Sequence, residues 1–454
     1  MSSGVENTPN PDIEAAYRWL LSYIPSSEWA ARRTAIEQHL EAILDPNALP
    51  APSVGYHRLI GPRDQIGWYL YLAETSLYEP RRTEVNQAAR VLPILLRLGS
   101  ELSQLRRIGG IDEKAVDLLS GSKSQPDSVL FEMLIALLWA RNGWPDVSFI
   151  PPDPNERRPD IRAGRGSEKW FVETKRMAAK SDYSQKERDK WLRIWKRLKD
   201  ALLEAGLPLI LDITFHVELE TFDDDFARDQ LAGKLKRVVG PCELISNDRW
   251  TVCVRFVDFD RIRRHFEKFY VKSHSRQLQE LVDGRWERGE GFTMVLDAPT
   301  VRIGEGQGVN HYVERINWAA GAYWHCDAER AYENKARDIR GQLANAVDQL
   351  PATGRGTIHV GIETQDGELV EAERFKRILK TAAAFNPNRK DLRWVYCHLY
   401  EAYAPPDKAW CFDETVYPLG LNREPNPEPI TLTASVVPNE EDRQEGTHWL
   451  REAP

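Results

Sequence analysis

The chain has 454 residues, of which 42% are hydrophobic and 29% are charged, and its formal net charge is −8 at pH 7. This composition excludes fibrous and wholly disordered proteins, and the length predicts two or three units of roughly 100 to 200 residues each. The acidic balance argues against a protein that coats DNA with its whole surface, but it leaves room for a local basic groove, because charges act over about 8–10 Å at physiological salt.

Neither export nor membrane insertion is predicted. No run approaches the roughly 18 apolar residues of a membrane span, and the start, MSSGVENTPNPDIEAA, lacks a secretory pattern. The five cysteines are widely spaced and form no CxxC pair, which fits reduced thiols. We therefore expect a soluble, cytoplasmic protein with no membrane partner.

Residues 11 to about 120 predict helices, because apolar residues recur at spacings of three and four. The segments are PDIEAAYRWLLSYI, SSEWAARRTAIEQHLEAIL, RDQIGWYLYLAETSLY and EVNQAARVLPILLRLGSELSQL. We interpret residues 1–122 as a helical N-terminal domain, a scaffold or a surface for a homodimer or a partner protein. The stretch GGIDEKAVDLLSGSKSQPDS, residues 109–128, is polar and rich in glycine and serine, and it predicts a linker at the domain boundary.

The periodicity then changes. SVLFEMLIALLWARNG predicts an apolar helix, VSFIP a short strand, and RRPDIRA with SEKWFVETK a hairpin. A long basic helix, DYSQKERDKWLRIWKRLKDALLEAG, and a buried strand, LPLILDITFHVELE, follow. The predicted order is helix, three strands, helix, strand.

The remaining elements predict a mixed central sheet flanked by helices, an α/β fold over residues 123–421. Further strands are expected at WTVCVRFV, FTMVLDA, GTIHVGIE and LRWVYCHLY, with helices at about 223–238, 258–283, 327–350 and 371–385. We expect an elaboration at about 220–325, after which GTIHVGIE and LRWVYCHLY extend the central sheet. Residues 422–454, rich in proline and acid, predict a loosely held extension with one strand, TLTASVV.

The predicted hairpin contains the candidate catalytic residues. Side chains alternate along a strand, so Glu173 and Lys175 share one face. A turn at residues 165 and 166 would place Asp160 opposite Phe171 and diagonal to Glu173, roughly 7–8 Å away between backbones, so that the two carboxylates reach one ion. Two carboxylates without a nearby histidine or thiolate suit Mg²⁺, with Mn²⁺ as an alternative. Lys175 would then orient the attacking water and balance charge on a phosphate, which predicts phosphodiester hydrolysis.

Pro159-Asp160, followed thirteen positions later by Glu173-Thr174-Lys175, resembles the signature of the PD-(D/E)xK nucleases, the restriction-endonuclease-like superfamily. The resemblance covers about residues 125–220 and implies an αβββαβ core. It implies that Asp160 and Glu173 bind Mg²⁺, that Lys175 serves the water, and that an acid on the preceding helix, Glu132, joins the site. It also implies a 5′-phosphate product and, by analogy, restriction or defence against foreign DNA.

The acid-x-Lys pattern also occurs at Asp112-Glu113-Lys114, in the predicted linker, and at Glu333-Asn334-Lys335, in a predicted helix. Only Glu173-Thr174-Lys175 ends an apolar strand. The plain alternative is a surface hairpin whose Glu173 and Lys175 form an exposed pair worth less than ~1 kcal/mol. A second alternative is a non-catalytic subunit that keeps the fold to bind nucleic acid or a partner.

The basic helix adds a substrate surface. Residues 175–200 contain ten lysines and arginines against four acids. Trp191 and Trp195, four positions apart, predict a buried face. Lys186, Arg193, Lys196 and Arg197 are then expected to contact nucleic-acid phosphates, DNA more than RNA, although an ordinary solvated helix face explains them equally well.

Overall fold

The computed structural model describes residues 9–44, 64–120, 125–177, 181–273, 275–286, 291–304, 310–388, 390–421, 426–437 and 446–450. The helices are α1 (Pro11–Leu21), α2 (Ser26–Leu44), α3 (Gln65–Tyr78), α4 (Val85–Ser100), α5 (Leu102–Leu105), α6 (Ile111–Leu119), α7 (Pro126–Arg141), α8 (Asp182–Ala205), α9 (Phe226–Leu235), α10 (Phe259–Phe266), α11 (Arg276–Asp283), α12 (Glu329–Lys335), α13 (Arg340–Val347) and α14 (Glu368–Ala384). The strands are β1 (Asp146–Phe149), β2 (Ile161–Arg165), β3 (Glu168–Arg176), β4 (Leu209–Phe215), β5 (Cys242–Ser246), β6 (Trp250–Phe256), β7 (Val271–Lys272), β8 (Gly291–Asp297), β9 (Thr300–Arg302), β10 (His311–Val313), β11 (Trp318–Cys326), β12 (Arg355–Glu363), β13 (Leu392–Tyr403) and β14 (Cys411–Gly420). The fold is mixed α/β, as predicted, and no described helix has the length and apolar character needed to cross a bilayer.

A six-stranded sheet holds the predicted site, with strand order β1-β2-β3-β12-β13-β14. Strand β2 runs antiparallel to its neighbours β1 and β3. Strands β3, β12 and β13 are parallel, and β14 is antiparallel to β13. Strand β12 is buried at every position after its first, as expected for a parallel strand with both faces covered.

Helix α7 covers one face of this sheet. Pro126 occupies its first turn, where a missing N–H costs nothing, and Gly143 follows its end with a left-handed φ of +77°. Trp139 packs at 5.2 Å from Trp144 and 6.1 Å from Trp170, between ring centroids. The apolar side chains of α1, α3 and α4 belong to the same hydrophobic core as α7 and β3. The N-terminal helices therefore help cover the sheet, while the boundary predicted at residues 122–123 lies outside the described residues.

The opposite face of the sheet packs against α13 and α14. Ile358, Val360 and Ile362 alternate along β12 and contact Leu343 of α13 and Ile378 of α14 in one core cluster. This face also carries Phe171 of β3 at its edge. Consequently the sheet that holds the predicted site residues is fixed from both sides.

A second sheet has five strands in the order β5-β6-β4-β11-β8. Helices α8 and α9 bury one of its faces, and a three-stranded sheet, β7-β10-β9, lies in the same stretch of chain. Trp191 and Trp195 of α8 are buried there with 1% and 7% exposure, so the buried face predicted from their spacing is confirmed.

The second sheet corrects one prediction. LPLILDITF forms β4, but β4 pairs with β6 and β11 instead of completing the first sheet. The neighbour of β3 is β12, preceded by α13, so the elaboration begins before residue 220 and includes α8 and β4. A strand pattern predicts extended backbone but not the pairing partner. That GTIHVGIE and LRWVYCHLY extend the central sheet is confirmed. Strands β11 and β14 were not predicted.

The C-terminal segment is tied down where it is described, at residues 426–437 and 446–450. Glu414 accepts hydrogen bonds from the backbone N–H of Ser435 and Val436 at 2.7 and 2.8 Å. Arg97 donates to the carbonyl of Val436 at 3.1 Å and to that of Val437 at 2.6 Å. Residues 431–437 form no strand, and the expectation of a loosely held extension is wrong for them, because two buried charged groups satisfy their backbone.

A directed chain of hydrogen bonds crosses the interior of the first sheet. The Trp139 indole donates to Nε2 of His359 at 3.2 Å, and Nδ1 of His359 contacts Nε2 of His398 at 2.9 Å. Nδ1 of His398 contacts Glu414 at 3.2 Å. Because an indole N–H can only donate, Nε2 of His359 accepts and the ring proton of His359 lies on Nδ1. Burial and the neighbouring His398 hold the pKa of His359 well below its ordinary value, in agreement.

Candidate active site

The hairpin of β2 and β3 sets the geometry of the site. Ile161 pairs with Val172 and Arg165 with Glu168, leaving Gly166 and Ser167 as a two-residue loop. Gly166 has a left-handed φ of +61°, a conformation that favours glycine in such loops. The register ends at Ile161, so Asp160 directly precedes the paired residues, and Phe171 pairs with Arg162. The predicted pairing of Asp160 with Phe171 is therefore wrong.

Asp160 is held by the central residue of the Glu-Thr-Lys triplet. Its Oδ2 accepts hydrogen bonds from the backbone N–H and the hydroxyl of Thr174, both at 2.8 Å. Thr174 is itself buried, so this contact is shielded from water. The carboxylate of Asp160 is thus fixed beside β3.

Glu173 is fully buried, with 0% exposure. Its Oε1 accepts hydrogen bonds from Lys175 and, at 2.6 Å, from the amide of Gln349, which follows α13. Its Oε2 is buried and has no hydrogen-bond partner among the described residues. Burial and the charge of Asp160 raise the pKa of Glu173 to about 9, against the opposing effect of Lys175. An unsatisfied buried oxygen is costly, and this one is available to a ligand.

Glu132 projects from α7 and pairs with a lysine from the N-terminal helices. Nζ of Lys114 lies 2.5 Å from Oε2 of Glu132, whose side chain is 14% exposed. Burial and the charge of Asp160 raise the pKa of Glu132 to about 7, and the charge of Glu132 in turn raises the pKa of Glu173. The charges of Glu132, Asp160 and Glu173 therefore influence one another.

These acids are not arranged around an ion in this conformation. No three His, Cys, Asp or Glu side chains within the described ranges form a group that holds a metal. Glu132 and Glu173 each engage a lysine instead. The donor set nevertheless fits Mg²⁺ or Mn²⁺, because it contains only oxygen ligands and includes the unpartnered Oε2 of Glu173.

The sequence reading missed Lys114 and Gln349. Lys114 belongs to α6, within the stretch predicted as a linker, although Ile111, Ala115 and Leu118 follow a helical spacing and are buried. Gln349 lies 176 residues from Glu173 along the chain, and no local pattern connects the two.

Arg176, which follows Lys175, anchors the end of β3. Arg176 donates to Glu363 of β12 at 2.6 Å, and Arg90 of α4 donates to the same oxygen at 2.7 Å. Burial alone would raise the pKa of Glu363, but Arg90 and Arg176 lower it to about 2. These three side chains line a cavity of about 30 Å³ that also borders Tyr400. The cluster fixes the end of β3 and with it the backbone of Lys175.

The four predicted phosphate contacts lie on α8, which packs on the five-stranded sheet. Lys186, Arg193, Lys196 and Arg197 are all exposed, as expected. Arg193 pairs with Asp224 and Arg197 with Asp225, each at 3.3 Å, so acids of the following loop partly neutralise this surface. Comparison of the chain with protein-family models, curated proteins and solved structures found no match.

Proposed function

We propose that the protein is a divalent-metal-dependent nuclease that hydrolyses phosphodiester bonds of nucleic acid, with DNA as the favoured substrate. The observation that carries this proposal is the fully buried Glu173, which pairs with Lys175 and precedes Thr174, the residue that holds Asp160. One carboxylate oxygen of Glu173 has no hydrogen-bond partner within the described part of the chain. A buried acid costs free energy unless a ligand or partner compensates it, and strongly perturbed carboxyls mark functional sites.

Each residue has a role in this proposal. Asp160, Glu173 and Glu132 would hold Mg²⁺ or Mn²⁺, which supplies an activated water and neutralises charge on the phosphate. Thr174 orients Asp160 and Gln349 orients Glu173. Lys175, 22% exposed, places its ammonium where it orients the water and balances charge on the phosphate oxygens. Attack by water would leave a 5′-phosphate.

The strand topology supports a PD-(D/E)xK-like core as part of this proposal. Helix α7, strands β1 to β3, helix α13 and strand β12 follow the order helix, three strands, helix, strand, with β12 parallel to β3. The five-stranded sheet then enters the chain between β3 and α13. A role in restriction or defence against foreign DNA is the biological setting that we infer by analogy.

The test is cleavage of plasmid, linear duplex and single-stranded DNA, and of RNA, with and without Mg²⁺. We expect DNA cleavage that a chelator abolishes and that Lys175→Ala lowers by about 100-fold or more, because one electrostatic group at a developing charge is worth that much. Lys169→Ala is the matched control, since Lys169 lies on the same strand but is exposed. Absence of metal-dependent cleavage on every substrate would refute the proposal.

One observation favours a second candidate, a binder that does not cleave. Both buried glutamates engage lysines instead of forming a ready metal site. Under this alternative, the protein binds DNA in a gel-shift assay without cutting it. The Lys175→Ala variant then folds normally and binds DNA as tightly as the unsubstituted chain.

A further inference from the structure

We propose that the connection between α10 and β7, residues 267–270, binds single-stranded nucleic acid by stacking unpaired bases on Phe269 and Tyr270. This connection leads into the three-stranded sheet, whereas the candidate active site belongs to the six-stranded sheet. The inference goes beyond the proposed nuclease function and does not require cleavage.

Two neighbouring aromatic side chains are exposed at this connection. Phe269 is 59% exposed and Tyr270 is 54% exposed. In the part of the chain that the structure describes, no other phenylalanine, tyrosine or tryptophan is more than half exposed. Because aromatic side chains contribute most when they are buried, two adjacent exposed rings indicate a contact surface for another molecule.

The connection that exposes these rings is anchored at both ends. Ile262 of α10 is 1% exposed and Val271 of β7 is 0% exposed, and both belong to one hydrophobic core. The backbone N–H groups of Lys268 and Phe269 both donate to the carbonyl of His265 at 3.1 Å, which continues the last turn of α10. The rings are therefore presented by a short, fixed segment.

The ring of Phe269 is supported on one side by His265. Their ring centroids lie 5.4 Å apart, and the centroid of His265 lies 5.9 Å from that of Phe266, which packs against the core. A ring that is already held in position loses little conformational entropy when a ligand stacks on it. Phe269 is thus prepared for stacking before any ligand binds.

Basic side chains accompany the two rings. Residues 259–272 contain five lysines and arginines against two acids, a net charge of +3 in a chain whose total is −8. Arg263 pairs with Asp260, but neither Arg264 nor Lys268, both exposed, forms an ion pair with a described carboxylate. These two cations are available to an anionic ligand that contacts the rings.

This combination favours a single strand as the ligand. Single-stranded nucleic acid binds to surfaces where its bases stack on aromatic rings and its phosphates contact basic side chains. In a duplex the internal bases already stack on each other, and a ring reaches their faces only after costly unstacking. An acidic peptide would match the cations but would offer no planar group to each ring.

The test is binding of a short labelled oligothymidine to the full chain, measured by fluorescence anisotropy in EDTA so that no metal-dependent cut occurs. Phe269→Ala and Tyr270→Ala are each expected to lower the affinity by about fivefold or more, the contribution of one stacked base. The same substitutions should leave the affinity for a duplex of that length unchanged. Oligouridine distinguishes RNA from DNA, and binding of either strand supports the proposal.

Matched variants separate stacking from bulk and from charge. Phe269→Tyr keeps the ring and should keep the affinity, whereas Phe269→Leu keeps apolar bulk without a ring and should lose it. Lys268→Gln should reduce the slope of log affinity against log salt by about 0.7, one phosphate contact of a single strand. Tyr78→Ala, which removes a tyrosine that is 45% exposed on α3, should change nothing.

The proposal is overturned if the double variant Phe269→Ala/Tyr270→Ala keeps the circular dichroism spectrum of the unsubstituted chain and binds both single strands as tightly. It is also overturned if the unsubstituted chain binds neither strand. Should the double variant lose its fold, the affinity of Phe269→Leu against that of Phe269→Tyr decides.

Two further outcomes assign the surface and the nuclease function separately. If the substitutions abolish self-association in sedimentation experiments without changing the affinity for either strand, the rings contact a second copy of the chain and the proposal fails. A chain whose ring variants lose single-strand binding, but that cuts no substrate with any metal, keeps this surface and refutes the nuclease proposal alone.

Discussion

The two large sheets differ in what they bury. The strands of the six-stranded sheet carry these buried polar or charged side chains: Glu173, Thr174, Thr357, His359, Glu363, His398 and Thr415. Among the described residues, no buried polar side chain lies on a strand of the five-stranded sheet. Buried polar groups destabilise a fold unless each is hydrogen-bonded, so the first sheet has been built around specific polar contacts and the second around packing. The chemistry is therefore expected in the first sheet and support in the second.

The difference between the two sheets is tested most directly by substituting one polar residue beside each sheet. Asp160→Asn is expected to lower DNA cleavage by about 100- to 1,000-fold, because under the proposed function it removes one of the carboxylates that would hold the divalent ion. His216→Ala, which removes the contact with Asp327 beside the second sheet, should change the rate by less than about threefold. Initial rates of cleavage of a labelled duplex measure the effect of both substitutions. An equal loss of rate in the two variants would contradict the assignment of the chemistry to the first sheet.

Packing is the next test. Trp191 stacks on Trp324 at 5.3 Å and on Trp195 at 6.2 Å within the second core. Trp191→Ala should lower the free energy of unfolding by about 3–5 kcal/mol, since it leaves a large cavity. Urea unfolding followed by circular dichroism measures it, and Trp191→Phe, which refills most of the space, is the control. A loss below about 1 kcal/mol would mean that this core is not the support we describe.

Acid is expected to weaken the attachment of Ser435 and Val436 to the first sheet, because their backbone N–H groups donate to Glu414 of β14. Burial alone would raise the pKa of Glu414, but the bond from His398 and the backbone N–H groups of Ser435 and Val436 lower it below its ordinary value of 4.5. The stabilisation by Glu414 is therefore present above pH 4.5 and is lost as the pH falls below that value through the lowered pKa.

The matching variant is Glu414→Gln, which should cost about 1–3 kcal/mol at pH 7 by leaving buried donors unsatisfied. Thermal unfolding between pH 7 and pH 3 measures the effect. The melting temperature of the variant should fall less steeply with acid than that of the unsubstituted chain. Parallel acid curves would show that Glu414 does not hold residues 435–437.

The smallest effects are expected on the basic surface of α8. Replacing Lys186 and Lys196 together with alanine should reduce the salt slope of DNA binding by about 0.9 per lysine if both contact phosphates. Arg193→Ala and Arg197→Ala should matter less, because these arginines already pair with Asp224 and Asp225. Fluorescence anisotropy at several salt concentrations measures the slope, and no change in the double variant would restrict binding to the first sheet.

The sequence was sufficient to predict how the site residues of β3 are arranged along that strand. Alternation along residues 168–176 placed Glu173 and Lys175 on one face, where the two side chains form an ion pair, because strand periodicity is a local property. It was insufficient for the partner of β3, since β4 and β12 are both short apolar strands that follow helices. Only long-range packing distinguishes them, and packing is not visible in a window of ten residues.

The glycines at residues 109 and 110 led to the prediction of a linker where the structure has a helix, α6. Gly109 and Gly110 open the polar stretch that the sequence analysis interprets as a linker, whereas Gly110 has a left-handed φ of +79° and directly precedes α6. A helix follows at once and carries Lys114 to Glu132. Gln349 was beyond reach for a different reason, because nothing in the sequence relates a residue after α13 to a carboxylate on β3.

The pairing of β3 with β12 has a consequence for synthesis. Glu173 leaves the ribosome 176 residues before Gln349. At roughly 5–20 residues per second, that delay lasts on the order of ten to thirty-five seconds, long enough for the five-stranded sheet to form first. During the delay one edge of β3 has no neighbour, which makes an interrupted chain prone to aggregate. The first sheet is consequently completed only after β12 to β14 have been synthesised, well after the strand that carries Glu173 and Lys175.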